Sequence, residues 1–194
     1  MRRAYAIIAA ALLVGAIPTA APAQGFGIKG GLSYGDVSNR GLLPGDLAAR
    51  TGFAVGLAVG SSWSLIGVGV EGLYAERGVK NTASSDSREI DYLDVPAYLR
   101  IAVPTPGVSP FAYAGPQFSF ELRCHAGSAD CPDTDRAHTS YAGVIGAGVR
   151  LGGRSALSFE GRYIYGLSDL KLGTVTSAES YKTRSFLILG GISF

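Results

Sequence analysis

D-Y-L-D-V-P-A-Y-L-R-I-A-V-P-T-P-G-V-S-P-F-A-Y-A-G-P-Q-F-S-F-E-L, residues Asp91–Leu122, decides the fold. Leu93, Val95, Ala97, Leu99, Ile101 and Val103 share one parity; Asp94, Pro96, Tyr98 and Arg100 share the other. Strict alternation marks a strand with two different faces. After the break at Pro104-Thr105-Pro106-Gly107 the pattern resumes, with Ala112, Ala114, Phe118, Phe120 and Leu122 against Tyr113, Gln117, Ser119, Glu121 and Arg123. Two such strands across a Pro/Gly turn form an antiparallel hairpin. Globular strands average about 5–6 residues, whereas a tilted strand needs about 9–11 to cross a bilayer. This hairpin has membrane length.

Six more segments repeat the period. Phe26, Ile28, Leu32 and Tyr34 oppose Lys29, Gly31 and Ser33. Phe53, Val55, Leu57, Val59 and Trp63 oppose an all-Gly/Ala face from Gly52 to Gly60. Ile66, Val68, Val70 and Tyr74 oppose Glu71, Leu73, Ala75 and Arg77. Tyr141, Ile145, Ala147, Val149 and Leu151 oppose Ala142, Val144, Gly146, Gly148 and Arg150. Leu157, Phe159, Tyr163, Tyr165 and Leu167 oppose Ser158, Glu160, Arg162 and Ile164. Phe186, Ile188, Ile192 and Phe194 oppose Ser185, Gly191 and Ser193, although Leu187 and Leu189 break the pattern there.

The connections alternate in length. Ser61–Ser64, Pro104–Ser109 and Gly152–Ser155 are short; Gly35–Arg50, Gly78–Arg88, Cys124–His138 and Ser168–Lys182 are long and polar. Eight strands joined in this way predict an all-β fold, a transmembrane antiparallel up-and-down barrel with short periplasmic turns and long outer loops. Closure is required, because an open edge in hydrocarbon leaves unpaired backbone groups. Trp63, Phe111 and Phe194 are expected at the periplasmic interface, and Tyr34, Tyr74, Tyr141 and Tyr165 at the outer one. The composition agrees, with 47% apolar residues and 28 glycines but no apolar run long enough for a spanning helix.

Met1-Arg2-Arg3, an apolar run to Ile17 and the small-residue site Ala21-Pro22-Ala23 have the parts of a cleaved signal peptide. We expect residues 1–23 to be the signal peptide and residues 24–194 the barrel domain. Losing Arg2 and Arg3 takes the formal charge from +2 to zero, so no nucleic-acid partner is expected.

Several pieces carry a resemblance: G-I-K-G-G-L-S at Gly27–Ser33, Y-L-D-V-P-A-Y-L-R at Tyr92–Arg100, P-F-A-Y-A-G-P at Pro110–Pro116, E-G-R-Y-I-Y-G-L-S-D at Glu160–Asp169, and the terminal Phe194. The chain resembles the small porin-like outer-membrane β-barrel proteins, of the OmpA-transmembrane and OmpX type. It departs from their pattern at Asp94 and Ala97, where Glu and Leu would be expected, without disturbing the parity. The resemblance implies a Gram-negative-type outer membrane, surrounding lipid, and barrel-insertion machinery that reads Phe194 as an assembly signal. It implies little about activity, because a fold does not fix a function.

Chemistry is sparse. His125 and His138 both fall in the third long connection, near Asp130, Asp133 and Asp135, without a nucleophile on a rigid wall. No metal-ligand spacing is standard. The expectation is no enzyme, no cofactor and no metal. Cys124 and Cys131, the only cysteines, read as a disulfide in an oxidising periplasm. Lys29, Glu71, Asp94, Arg100, Glu121, Arg123, Glu160 and Arg162 fall on the inward parity with balanced sign. They are expected to form an ion-pair network that fills the narrow interior of an eight-stranded barrel, with Glu71 beside Arg100. The function expected is a monomeric membrane-embedded scaffold with exposed loops, whose loop partner is left open; the alternative is a narrow porin-like channel for small solutes.

Overall fold

In hydrocarbon, the backbone of an alternating strand finds hydrogen-bond partners only in neighbouring strands, and that requirement closes this sheet. The computed structural model describes residues 24–37, 47–63, 65–81, 87–126, 129–130, 139–153, 155–169 and 182–194. The strands are β1 (Gln24–Val37), β2 (Leu47–Trp63), β3 (Ile66–Asn81), β4 (Ser87–Ala102), β5 (Val108–Ala126), β6 (Ala129–Asp130), β7 (Thr139–Gly152), β8 (Ala156–Asp169) and β9 (Lys182–Ser193). The eight long strands pair antiparallel with both neighbours. β6 is a two-residue extension paired with the end of β5. β1 pairs with β9 from Gly27↔Ser193 to Val37↔Thr183, and the Phe194 N–H adds a bond to the Phe26 carbonyl at 2.8 Å. This seam completes an all-β closed barrel.

The two parities separate as the alternation requires. Leu99 is 63% exposed on the outer face, while Leu73 is 1% exposed in the interior. Leu187 and Leu189 point inward, at 0% and 1% exposed, between the outward Phe186 and Ile188. Their break in the sequence pattern is an apolar lining, not a change of parity.

The short connections are tied to one another. Ala102 N–H donates to the Leu65 carbonyl at 2.8 Å, and Gly152 N–H to that of Gly107 at 3.0 Å. Gly107 has φ +82°, which suits glycine at a tight turn. The long connections are shorter than the alternation suggests. Pairing runs on to Val37, Asn81, Ala126 and Asp169 and restarts at Leu47, Ser87, Thr139 and Lys182, because a ladder needs backbone groups and not apolar side chains. The expected signal peptide, residues 1–23, lies outside the described residues.

Two placements differ from expectation. Phe111 is buried in the lumen at 7% exposed, because it shares the inward parity of Tyr113; it is no girdle residue. A bulge in β5 lets Asp91 pair with Arg123 while Tyr92 pairs with Glu121. The extra residue, Leu122, flips the parity beyond it. Arg123 is consequently exposed and Cys124 buried. The side chain of Trp63 is outside the described set.

Spin labels at Leu57, Leu99 and Ile145 in lipid vesicles should relax faster with oxygen than with a water-soluble nickel chelate. A label replacing Ser158, which lines the open cavity inside the barrel, should show the reverse. Equal accessibility at all four positions would contradict the assigned faces.

Candidate functional site

Four ionisable side chains meet in the half of the lumen nearer the short connections: Lys29 from β1, Glu71 from β3, and Glu160 and Arg162 from β8. Small residues opposite them make room. Lys29 faces Gly56 and Gly191, Glu71 faces Ala58, Glu160 faces Gly148 and Arg162 faces Gly146. The long side chains thus cross the lumen and form a ring of alternating charge. Lys29 Nζ lies 2.6 Å from Glu71 Oε1 and 2.8 Å from Glu160 Oε2. Arg162 Nη2 lies 2.5 Å from Glu71 Oε2 and 2.7 Å from Glu160 Oε1.

Two tyrosines complete the ring. Tyr98 donates to Glu71 Oε1 at 2.7 Å. Tyr113 accepts from Arg162 Nε at 2.7 Å and donates to Glu160 Oε1 at 2.9 Å. All four carboxylate oxygens therefore have partners, which a buried ion pair needs if its attraction is to offset desolvation. The tyrosine rings lie 4.6 Å apart between centroids. Gly69 and Gly146 leave the space they occupy, since a Cβ at either position would collide with the Tyr98 or Tyr113 ring.

Apolar side chains seal the ring. Leu187 and Leu189 stand at its own level, paired with Arg162 and Glu160. Leu73, Val144 and Ile164 lie one inward position further towards the long connections, all buried. At the level of Leu73, its register partner, Asp94 is ion-paired with Arg77, whose guanidinium lies over the Tyr92 ring at 5.3 Å.

The eight expected lumen residues therefore separate. Lys29, Glu71, Glu160 and Arg162 form the ring, and Asp94 finds Arg77 instead of a member of the expected set. Glu121 is half-buried further along β5, and Arg123 is outside the network because of the bulge. Arg100 does not meet Glu71. The β3–β4 register sets Arg100 opposite Gly67, four residues nearer the short connections, where it lies over Phe111 at 4.3 Å. Tyr98, Tyr113 and Arg77 belong to these clusters without having been among the candidates. Their inward parity was the available signal.

His125 pairs in register with Glu89 and Asp130 at the opposite end of the barrel, while His138 lies outside the described residues. Among the described residues, no three His, Cys, Asp or Glu side chains gather in a way that could hold a metal ion. Cys124 is 4% exposed and is not a free thiol; Cys131 lies outside the described residues.

The fold is similar to that of Neisserial surface protein A, with a TM-score of 0.56, 18% identity, and coverage of 87% of this chain and 95% of that one. Ail, the attachment invasion locus protein of Yersinia pestis, gives a TM-score of 0.49 at 15% identity, over 89% of this chain and 100% of that one. No curated protein sequence matches. Residues 7–194 match the family described as the outer membrane protein beta-barrel domain. With its barrel closed and its apolar face outward, the chain belongs to that family of outer-membrane proteins.

Proposed function

We propose that this protein is a membrane-embedded scaffold whose lumen is plugged and whose long connections are its working surface. The charge-neutral ring of Lys29, Glu71, Glu160 and Arg162 carries this reading. Arg162 is 0% exposed, and its bonds to both carboxylates bridge the interior from β8 to β3. Conduction would require parting these bonds and exposing Leu73, Leu187 and Leu189 to water. The reading assigns no catalysis, because the ring's acids and bases are engaged with one another. The second reading, a narrow porin-like channel for small solutes, draws on the open cavity of about 790 Å³ below the ring.

Planar-bilayer recording of the purified protein separates the two. The wild type should give no steady conductance, and the charge-balanced pair Glu71→Ala with Arg162→Ala should raise it. Steady nanosiemens steps from the wild type would establish the channel instead. Arg162→Ala alone leaves two carboxylates sharing Lys29 and should cost about 3–5 kcal/mol in urea unfolding from vesicles.

Residues 1–23 act, in this proposal, as the cleaved export signal, with the mature chain starting at Gln24. Phe194, 60% exposed beside the β1–β9 seam, serves as the assembly signal. Edge pairing with the insertion machinery would be a form of strand addition. Deleting Phe194 should strand the secreted chain in the periplasm; normal surface levels of the truncated protein would refute the role.

The Cys124–Cys131 pair is proposed to close a small loop at the outer end of β5. Chain entropy suggests about 2–3 kcal/mol for so short a ring. The unreduced, denatured protein should take up no thiol reagent, whereas labelling of both cysteines would exclude the bridge.

A further inference from the structure

The cavity below the ring holds positive charge that the ring does not use. Its wall includes Arg100 from β4 and Arg150 from β7, with Ser61, Ser109 and Ser158 around them. Lys29 and Glu160 also reach it, but each is already engaged in the ring. Among the described residues, neither Arg100 nor Arg150 forms an ion pair with any carboxylate. The Nε of each is buried without a partner there. Residues 50–70, 95–120 and 136–159, which supply most of this end of the barrel, contain no Asp or Glu.

Both guanidinium groups face one cavity, whose one Asp or Glu among the described lining residues is Glu160, already bonded to Lys29, Arg162 and Tyr113. Each guanidinium is positioned. Arg100 lies over the face of Phe111, a cation–π contact that uses none of its N–H donors. Arg150 spends one Nη2 bond on the Gly153 carbonyl at 3.1 Å. Two guanidinium forks in one cavity, neither ion-paired among the described residues and with hydroxyl groups around them, match the needs of a tetrahedral oxyanion. The volume lies within the range of about 300–1,000 Å³ common for small-molecule sites.

We propose that this cavity binds a phosphate group between Arg100 and Arg150, admitted from the short-connection end. Such a group could belong to a free phosphate compound or to the head of a phospholipid in the adjoining leaflet. Binding requires no opening of the ring, so the site stands whether or not the barrel conducts.

The test is amide NMR of the mature barrel in nonionic detergent at constant ionic strength. One titration uses inorganic phosphate, the other dihexanoyl phosphatidylglycerol. Saturable shifts confined to Ser109, Phe111, Arg150 and their neighbours are expected. Saturation by inorganic phosphate identifies the free ligand; saturation by the lipid alone identifies the head group. Arg100→Gln with Arg150→Gln should weaken binding by roughly tenfold or more, with heat-modifiable gel mobility retained. Arg150→Gln alone, at the strand end, provides the same comparison at the smallest structural cost. No saturable shift with either probe, or unchanged affinity in a folded variant, would overturn the proposal.

Discussion

Backbone N–H and C=O groups in hydrocarbon have no water to bond, and each one left unpaired costs several kcal/mol. A sheet meets this demand only by joining its two edges. Here the join is the β1–β9 seam, extended by the Phe194 N–H to the Phe26 carbonyl. The other features of the barrel follow from that closure. Eight strands enclose an interior that side chains alone can fill, and outward positions meet lipid whatever their chemistry.

A narrow interior restricts which charges it can hold. Lys29, Glu71, Glu160 and Arg162 tolerate burial because each acid meets both bases and the tyrosines fill the remaining bonding positions. Removing any one member would leave its partners in a low-dielectric site with unequal charge. Gly56, Ala58, Gly146, Gly148 and Gly191 serve the same end from the neighbouring strands, since small residues beside the ring's members leave their long side chains room to turn into the lumen. Nearer the short connections the balance is abandoned. Arg100 and Arg150 face the cavity outside any ion pair among the described residues, a different electrostatic design within one barrel.

Much of the fold was legible in the sequence because side-chain direction in a strand is a local property. Leu93, Leu99 and Ile101 could be assigned to the lipid face from their parity alone, as could the alternation of short and long connections. The lumen was harder to read. Parity reported that Glu71, Arg100 and Arg162 point inward, but not which of them share a level. It also failed at Arg123, where one extra residue in β5 reverses the direction of everything beyond it. Leu187 and Leu189 break the polar-or-small inward pattern because this part of the lumen is lined by apolar side chains, which parity alone does not distinguish from lipid-facing ones.

The sequence by itself determined that this is an eight-stranded membrane barrel, since a period of two and an apolar face are set residue by residue. Only the tertiary structure decided that Glu71 meets Arg162, 91 residues away, while Arg100 settles on Phe111. The reason is geometric. Which inward side chains meet across a closed barrel depends on the accumulated stagger of all its strand pairs and on every bulge, and no single strand contains that information.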